Sequence, residues 1–81
     1  MKDVYLKRTC GACPEQYDAF MGNEQVGYLR LRGGSFTVEC PDCSGELVYS
    51  ANPDGDGMFM DYEREGFLEA AIEAIKGWSG K

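Results

Sequence analysis

Two Cys-x-x-Cys turns constrain this chain more than anything else in it. Cys10-Gly11-Ala12-Cys13 and Cys40-Pro41-Asp42-Cys43 are separated by twenty-six residues. A two-residue spacer lets both sulfurs of a turn reach one ion, so two such turns can close a tetrahedron of thiolates. Pro41 fixes its own φ, and Gly45 just beyond the second turn is free to take a positive φ. The spacing therefore predicts one closed structural Zn²⁺ site made by Cys10, Cys13, Cys40 and Cys43. There is no histidine, so the ligand set is all cysteine. A closed site of this kind has no open position at which to activate water. Its contribution is to folding, on the order of 10 kcal/mol in small domains.

At 81 residues the chain makes one small domain with a marginal core, the situation in which a metal staple is expected. The same four sulfurs could hold iron. The arrangement is similar to that of rubredoxin-like electron carriers, although Pro14 and Ser44 stand where those turns carry glycine.

Strand periodicity fills the first two thirds. Residues 3–9, 16–21, 25–32, 35–40 and 46–51 read as strands, the clearest being Gln25–Arg32, whose end alternates with Leu29 and Leu31 on one face. Phe36, Val38 and Cys40 share a face in the same way, and Gly33-Gly34 joins the two strands as a tight hairpin. Residues 52–61 are turn chemistry rich in Asp and Gly. Residues 62–76 read as a helix with Asp61 as cap and Phe67, Leu68, Ala71, Ile72 and Ile75 in an apolar stripe. The expected fold is α+β: an antiparallel sheet of four or five strands, a zinc-ribbon-like four-cysteine site over residues 1–51, and one C-terminal helix packed on a face. Clamping the first and last turns with one ion would staple the ends of the meander.

Three further constellations invite a chemical reading. Asn52, Asp54, Asp56 and Glu63 fall at the spacing of an EF-hand loop, with Gly57 at its sharp turn, which makes a Ca²⁺ site the second metal expectation. Pro53 and a preceding strand depart from that pattern. Tyr28, Arg30 and Arg32 lie on one strand face, as in sheets that grip single-stranded nucleic acid. Glu65, Glu69 and Glu73 repeat every four residues along one helix face. Such spacing costs a few tenths of a kcal/mol per pair, so it suits a basic partner or plain solubility.

Charge decides between function classes. Five basic residues face four acidic ones through Gly33, and three face ten from Gly34 onward, for a net charge of −6. Nucleic acid is a poor partner for such a field. No nucleophile–base pair, phosphate loop or membrane-length apolar run occurs. The N-terminus is too short and polar for a secretory signal, so a reducing cytoplasm is the expected location. The expectation is a non-enzymatic, zinc-stabilised binding module for an unknown protein partner. The alternatives are an iron electron carrier and a zinc-ribbon nucleic-acid binder using Arg30 and Arg32.

Gln25-Val-Gly-Tyr-Leu-Arg-Leu-Arg32, Gly34-Ser-Phe-Thr-Val38 and Pro53-Asp-Gly-Asp-Gly57, with Phe59, Asp61, Glu63 and Arg64 leading into Ala70–Ile75, together carry a resemblance. They resemble a family of small proteins from bacteriophages, bacteria and archaea that carries no assigned activity. The resemblance covers residues 16–75 and implies a sheet-plus-helix domain. It transfers no site residue.

Overall fold

Apolar residues at every second position make strands that are buried on one face only, and a helix with one apolar stripe is the natural cover. The computed structural model describes residues 4–10 and 15–78. They form β1 (Val4–Cys10), β2 (Glu15–Met21), β3 (Glu24–Arg32), β4 (Ser35–Cys40), β5 (Glu46–Ala51) and α1 (Asp61–Gly77). The sheet has five strands in the order β1-β2-β3-β4-β5, each antiparallel to the next. The α+β expectation holds, with five strands and a helix one residue longer at each end than its periodicity indicated. Among the described residues, no helix is long and apolar enough to cross a membrane.

The core lies between α1 and one sheet face. Leu29, Leu31, Phe36, Val38, Ala19 and Cys40 are fully buried from the sheet side, Ala71 and Ile75 from the helix. Phe59 joins them, with its ring 4.9 Å from Phe36 edge-on and 5.6 Å from Phe67 in a stack. Such pairs contribute about 0.5–1.5 kcal/mol each beyond their area. Gly27 lies directly under the helix, where a Cβ would come within 2.6 Å of Ile75 Cδ1. A side chain there would force the Ile75 side chain to move.

The segment 52–60 is laid back across the sheet end by backbone bonds. Gly57, at φ +82, donates its N–H to Gly33 O at 2.7 Å and accepts from Glu15 N–H at 2.8 Å. The helix cap differs from expectation. Met60, extended at φ −67 and ψ 147, holds the N-cap position and has no side-chain cap bond. Glu63 does the capping, with its carboxylate accepting the N–H groups of Met60 (2.9 Å), Asp54 (2.8 Å) and Gly55 (2.8 Å). Asp61 instead accepts from Arg64 Nη1 at 2.8 Å.

One charged side chain sits inside this frame. Glu15 alternates with Tyr17 and Ala19 on the inward face of β2 and is 1% exposed. It accepts from the Tyr17 hydroxyl, from Phe59 N–H at 3.0 Å and from Arg64 Nε at 2.8 Å and Nη2 at 3.3 Å. The Arg8 guanidinium stands 3.9 Å away. Burial alone would push the Glu15 carboxyl up, but the bonds from Arg64, Tyr17 and Phe59 outweigh it and hold it below the usual carboxylate range. Burial and the same hydrogen bond push the Tyr17 phenol up to about 12. Arg64 also donates to Phe59 O at 3.1 Å, so one guanidinium joins β2, the loop and α1.

Removing either partner of a buried pair leaves the other uncompensated, which costs about 3–5 kcal/mol, a large part of a small domain's stability. Arg64→Met is expected to lose that amount in urea unfolding, whereas Glu15→Gln with Arg64→Met should lose clearly less than the two single changes summed. Because the folded carboxyl titrates below its unfolded value, the stability it contributes is present above about pH 4.5 and lost on acidification below it. Melting profiles between pH 2 and 7 should flatten at the acid end in Glu15→Gln. An acid limb identical to wild type would remove Glu15 from that role.

Candidate functional site

The sheet topology sets Cys10 and Cys40 apart. Strands of an up-and-down meander end at alternate sides, so Cys10, closing β1, and Cys40, closing β4, lie toward opposite ends of the sheet. The register gives the separation. Cys10 pairs with Gln16, Gln16 with Arg30 and Arg30 with Thr37, which places Cys40 three residues further along β4 and three strands across. At about 3.3 Å per residue and about 4.8 Å per strand, the two Cα atoms are roughly 17 Å apart. Two thiolate ligands of one ion keep their Cα atoms within roughly 10 Å, given a Zn–S bond of about 2.3 Å. The Cys10 side chain and Cys13, half of the expected tetrathiolate set, lie outside the described residues. Cys40 is fully buried in the core and Cys43 is exposed. Burial and the Glu46 carboxylate push the Cys40 thiol up. Among the described residues, no three of Cys, Asp and Glu gather closely enough to hold a metal.

The segment expected to bind Ca²⁺ uses its oxygens within the chain. Glu63 spends its carboxylate on three backbone N–H groups, which hold it below the usual range against the opposing effect of desolvation. Asp54 accepts from the Tyr62 hydroxyl, and Asn52 Nδ2 donates to Gly34 O at 3.1 Å. Asp54, Asp56 and Glu63 do not come together as a ligand group. Phe59, the apolar residue of the expected loop, is a core side chain.

The sheet face away from α1 carries Tyr5, Lys7, Asp18, Phe20, Tyr28, Arg30, Arg32 and Glu39. Tyr5 stacks on Phe20 at 5.6 Å, and the Tyr28 hydroxyl donates to Gln16 Oε1. Those rings are spent on neighbours instead of standing free for bases. Tyr28, not an arginine, is set opposite Asp18 and Glu39. Arg30 and Arg32 make no ion pair among the described residues, and Arg30 Nε is buried without an acceptor.

The helix surface is different. Glu65, Glu69 and Glu73 are all exposed and make no ion pair among the described residues. Half-buried Leu68 and Ile72 line a shallow hollow of about 380 Å³ with Asp61, Arg64, Glu65 and Glu69. On the other flank of α1, Tyr49, Tyr62, Glu63, Gly66 and Phe67 line a hollow of about 300 Å³ beside β5. Tyr62 is 73% exposed. Sequence reasoning missed this second hollow. The available signal was Gly66, a helix-interior glycine where a Cβ would meet nothing within 4 Å. It missed Glu15 too, although a carboxylate sharing an inward face with Tyr17 and Ala19 was readable from the alternation.

No family model, curated protein or solved structure matches the chain.

Two outcomes test the metal assignments. A strong chelator under reducing conditions should leave the melting curve unchanged, with Cys43→Ser neutral and Cys40→Ser costing about 1–3 kcal/mol as a buried hydroxyl. Equal losses at both cysteines, together with chelator sensitivity, would restore a metal site. Millimolar Ca²⁺ should leave the amide resonances of Asp54 to Glu63 in place, because the Glu63 oxygens are already taken.

Proposed function

We propose that this chain is a non-enzymatic protein-binding module that takes a basic partner on its helix side. The observation that carries the reading is the row of exposed carboxylates on α1, Glu65, Glu69 and Glu73, bordered by half-buried Leu68 and Ile72. An acidic stripe beside apolar side chains has the character of a contact surface: apolar area supplies affinity and charge supplies partner choice and on-rate. The charge is also segregated. β4, β5, α1 and their loops belong to the part of the chain with ten acidic residues against three basic ones.

Catalysis finds little support. Among the described residues, the buried carboxylate, Glu15, has its oxygens occupied by four donors and is closed to substrate. The iron-carrier reading needs four sulfurs at one ion, and the register sets the Cα atoms of Cys10 and Cys40 roughly 17 Å apart. The nucleic-acid reading would use the outer sheet face, where Tyr5 stacks on Phe20 and Tyr28 is bonded to Gln16, against a net charge of −6 for the whole chain.

The immobilised protein is expected to retain a partner from host extract at low salt and to release it as ionic strength rises past about 0.3 M, as exposed charges are screened. The variant with Glu65, Glu69 and Glu73 all changed to Lys should fold and retain nothing from the same set. Retention of the same proteins by both would end this reading.

A further inference from the structure

We infer that the open edge of β5, with the cleft between it and the first turns of α1, receives an extended segment of the partner as a sixth strand. This rests on the protein-binding reading and names a site and a mode for it.

The two sheet edges are built differently. β1 carries Lys7 and Arg8 at its centre, which is how natural edges resist pairing. β5 runs Glu46-Leu-Val-Tyr-Ser-Ala51, with no charge and no proline after its first residue. It pairs with β4 alone among the described residues, so one side of its backbone presents unpaired N–H and C=O groups. Leu47 is 55% exposed on one face. On the other face Tyr49 opens into the hollow formed with Tyr62, Gly66 and Phe67. A strand laid along β5 would place alternate side chains against Leu47 and into that hollow, the arrangement by which edge strands read peptides.

Gly66 is the independent observation. A glycine inside a helix is unfavourable relative to Ala. Here no positive φ requires it, and no neighbour would clash with a Cβ. Its bare backbone lines the hollow. A chain approaching β5 from outside uses the space that a side chain at Gly66 would fill.

Charge selects the occupant. Pairing β5 with β5 of a second copy would bring together two halves that each carry ten acidic and three basic residues. A segment with apolar residues at alternate positions and Lys or Arg between them meets exposed Glu46, at the start of β5, favourably.

The probe is a resin library of peptides of about seven residues, long enough to span β5. Val, Ile, Phe or Tyr alternate with Lys, Arg or Thr. Selected peptides should bind below about 1 mM and protect β5 amides from exchange. N-methylation of one alternate set of peptide amides should abolish binding, while methylation of the other set is tolerated. Gly66→Leu should weaken binding at least about ten-fold without lowering the melting temperature, and Leu47→Lys should do the same. Several results would overturn the inference: no peptide retained, tolerance of both methylated sets, undiminished binding by Gly66→Leu, or a dimer of the free protein with β5 amides protected. Extract proteins still held by Gly66→Leu and Leu47→Lys, but lost on reversal of the helix carboxylates, would remove the β5 site and leave the protein-binding reading standing.

Discussion

The carboxylate of Glu15 depends on the Arg64 guanidinium, and the placement of everything after residue 51 depends on that pair. Burying an ionised group in so small a domain is tolerable only if each of its oxygens is met by a donor. Here the donors come from three places: Tyr17 on the same strand, the Phe59 N–H in the loop and Arg64 on the helix. They can converge only if the loop crosses the sheet end and α1 starts above β2. A purely apolar contact would let the helix slide along the sheet, whereas this node fixes its starting point. The bond of Arg64 to Asp61, one turn back, aims the guanidinium.

The rest of the chain works to make that geometry inexpensive. Glu63 gathers three N–H groups that the loop would otherwise leave to solvent, so the Asp/Gly-rich segment is shaped from within. Phe59 goes inward beside Phe36 and Phe67. Gly27 allows α1 to lie flat against β3 at Ile75. The far end of the helix is held more loosely, by half-buried Trp78 with its Nε1 3.4 Å from Glu46 Oε1. The two helix ends are thus secured by different means, a charged node at one and an aromatic ring at the other.

Much of the fold was legible in the residues. Alternation of Leu29 with Leu31 and of Phe36 with Val38 named the buried face, Gly33-Gly34 named a hairpin, and the stripe through Ala71 and Ile75 named the covering helix. The spacing of the cysteine turns carries no information on the parity of the meander between them. Three strands, β2 to β4, run between Cys10 and Cys40 and put the two toward opposite ends of the sheet, a fact of topology that no local spacing contains. Cys40 is better explained by the periodicity of its own strand, which places it inward with Phe36 and Val38. The calcium spacing has a structural explanation of its own. Asp, Asn and Gly are favoured in turns whatever they bind, and Glu63 stands at the third helical position, where a carboxylate caps the backbone. The Glu15 node joins residues 49 apart, and neither periodicity nor spacing reports a contact of that range.

That separation has a consequence for the chain as it leaves the ribosome. Residues 4–51 can pair as successive hairpins as soon as they emerge, since each contact in the meander is between sequence neighbours. Phe59, Arg64 and Ile75 arrive last. Until they do, the nascent sheet presents Leu29, Leu31, Phe36 and Val38 to water around an unneutralised Glu15. Translation therefore passes through an interval in which the emerging sheet is sticky on one side, and it is the arrival of residues 59–75 that closes it.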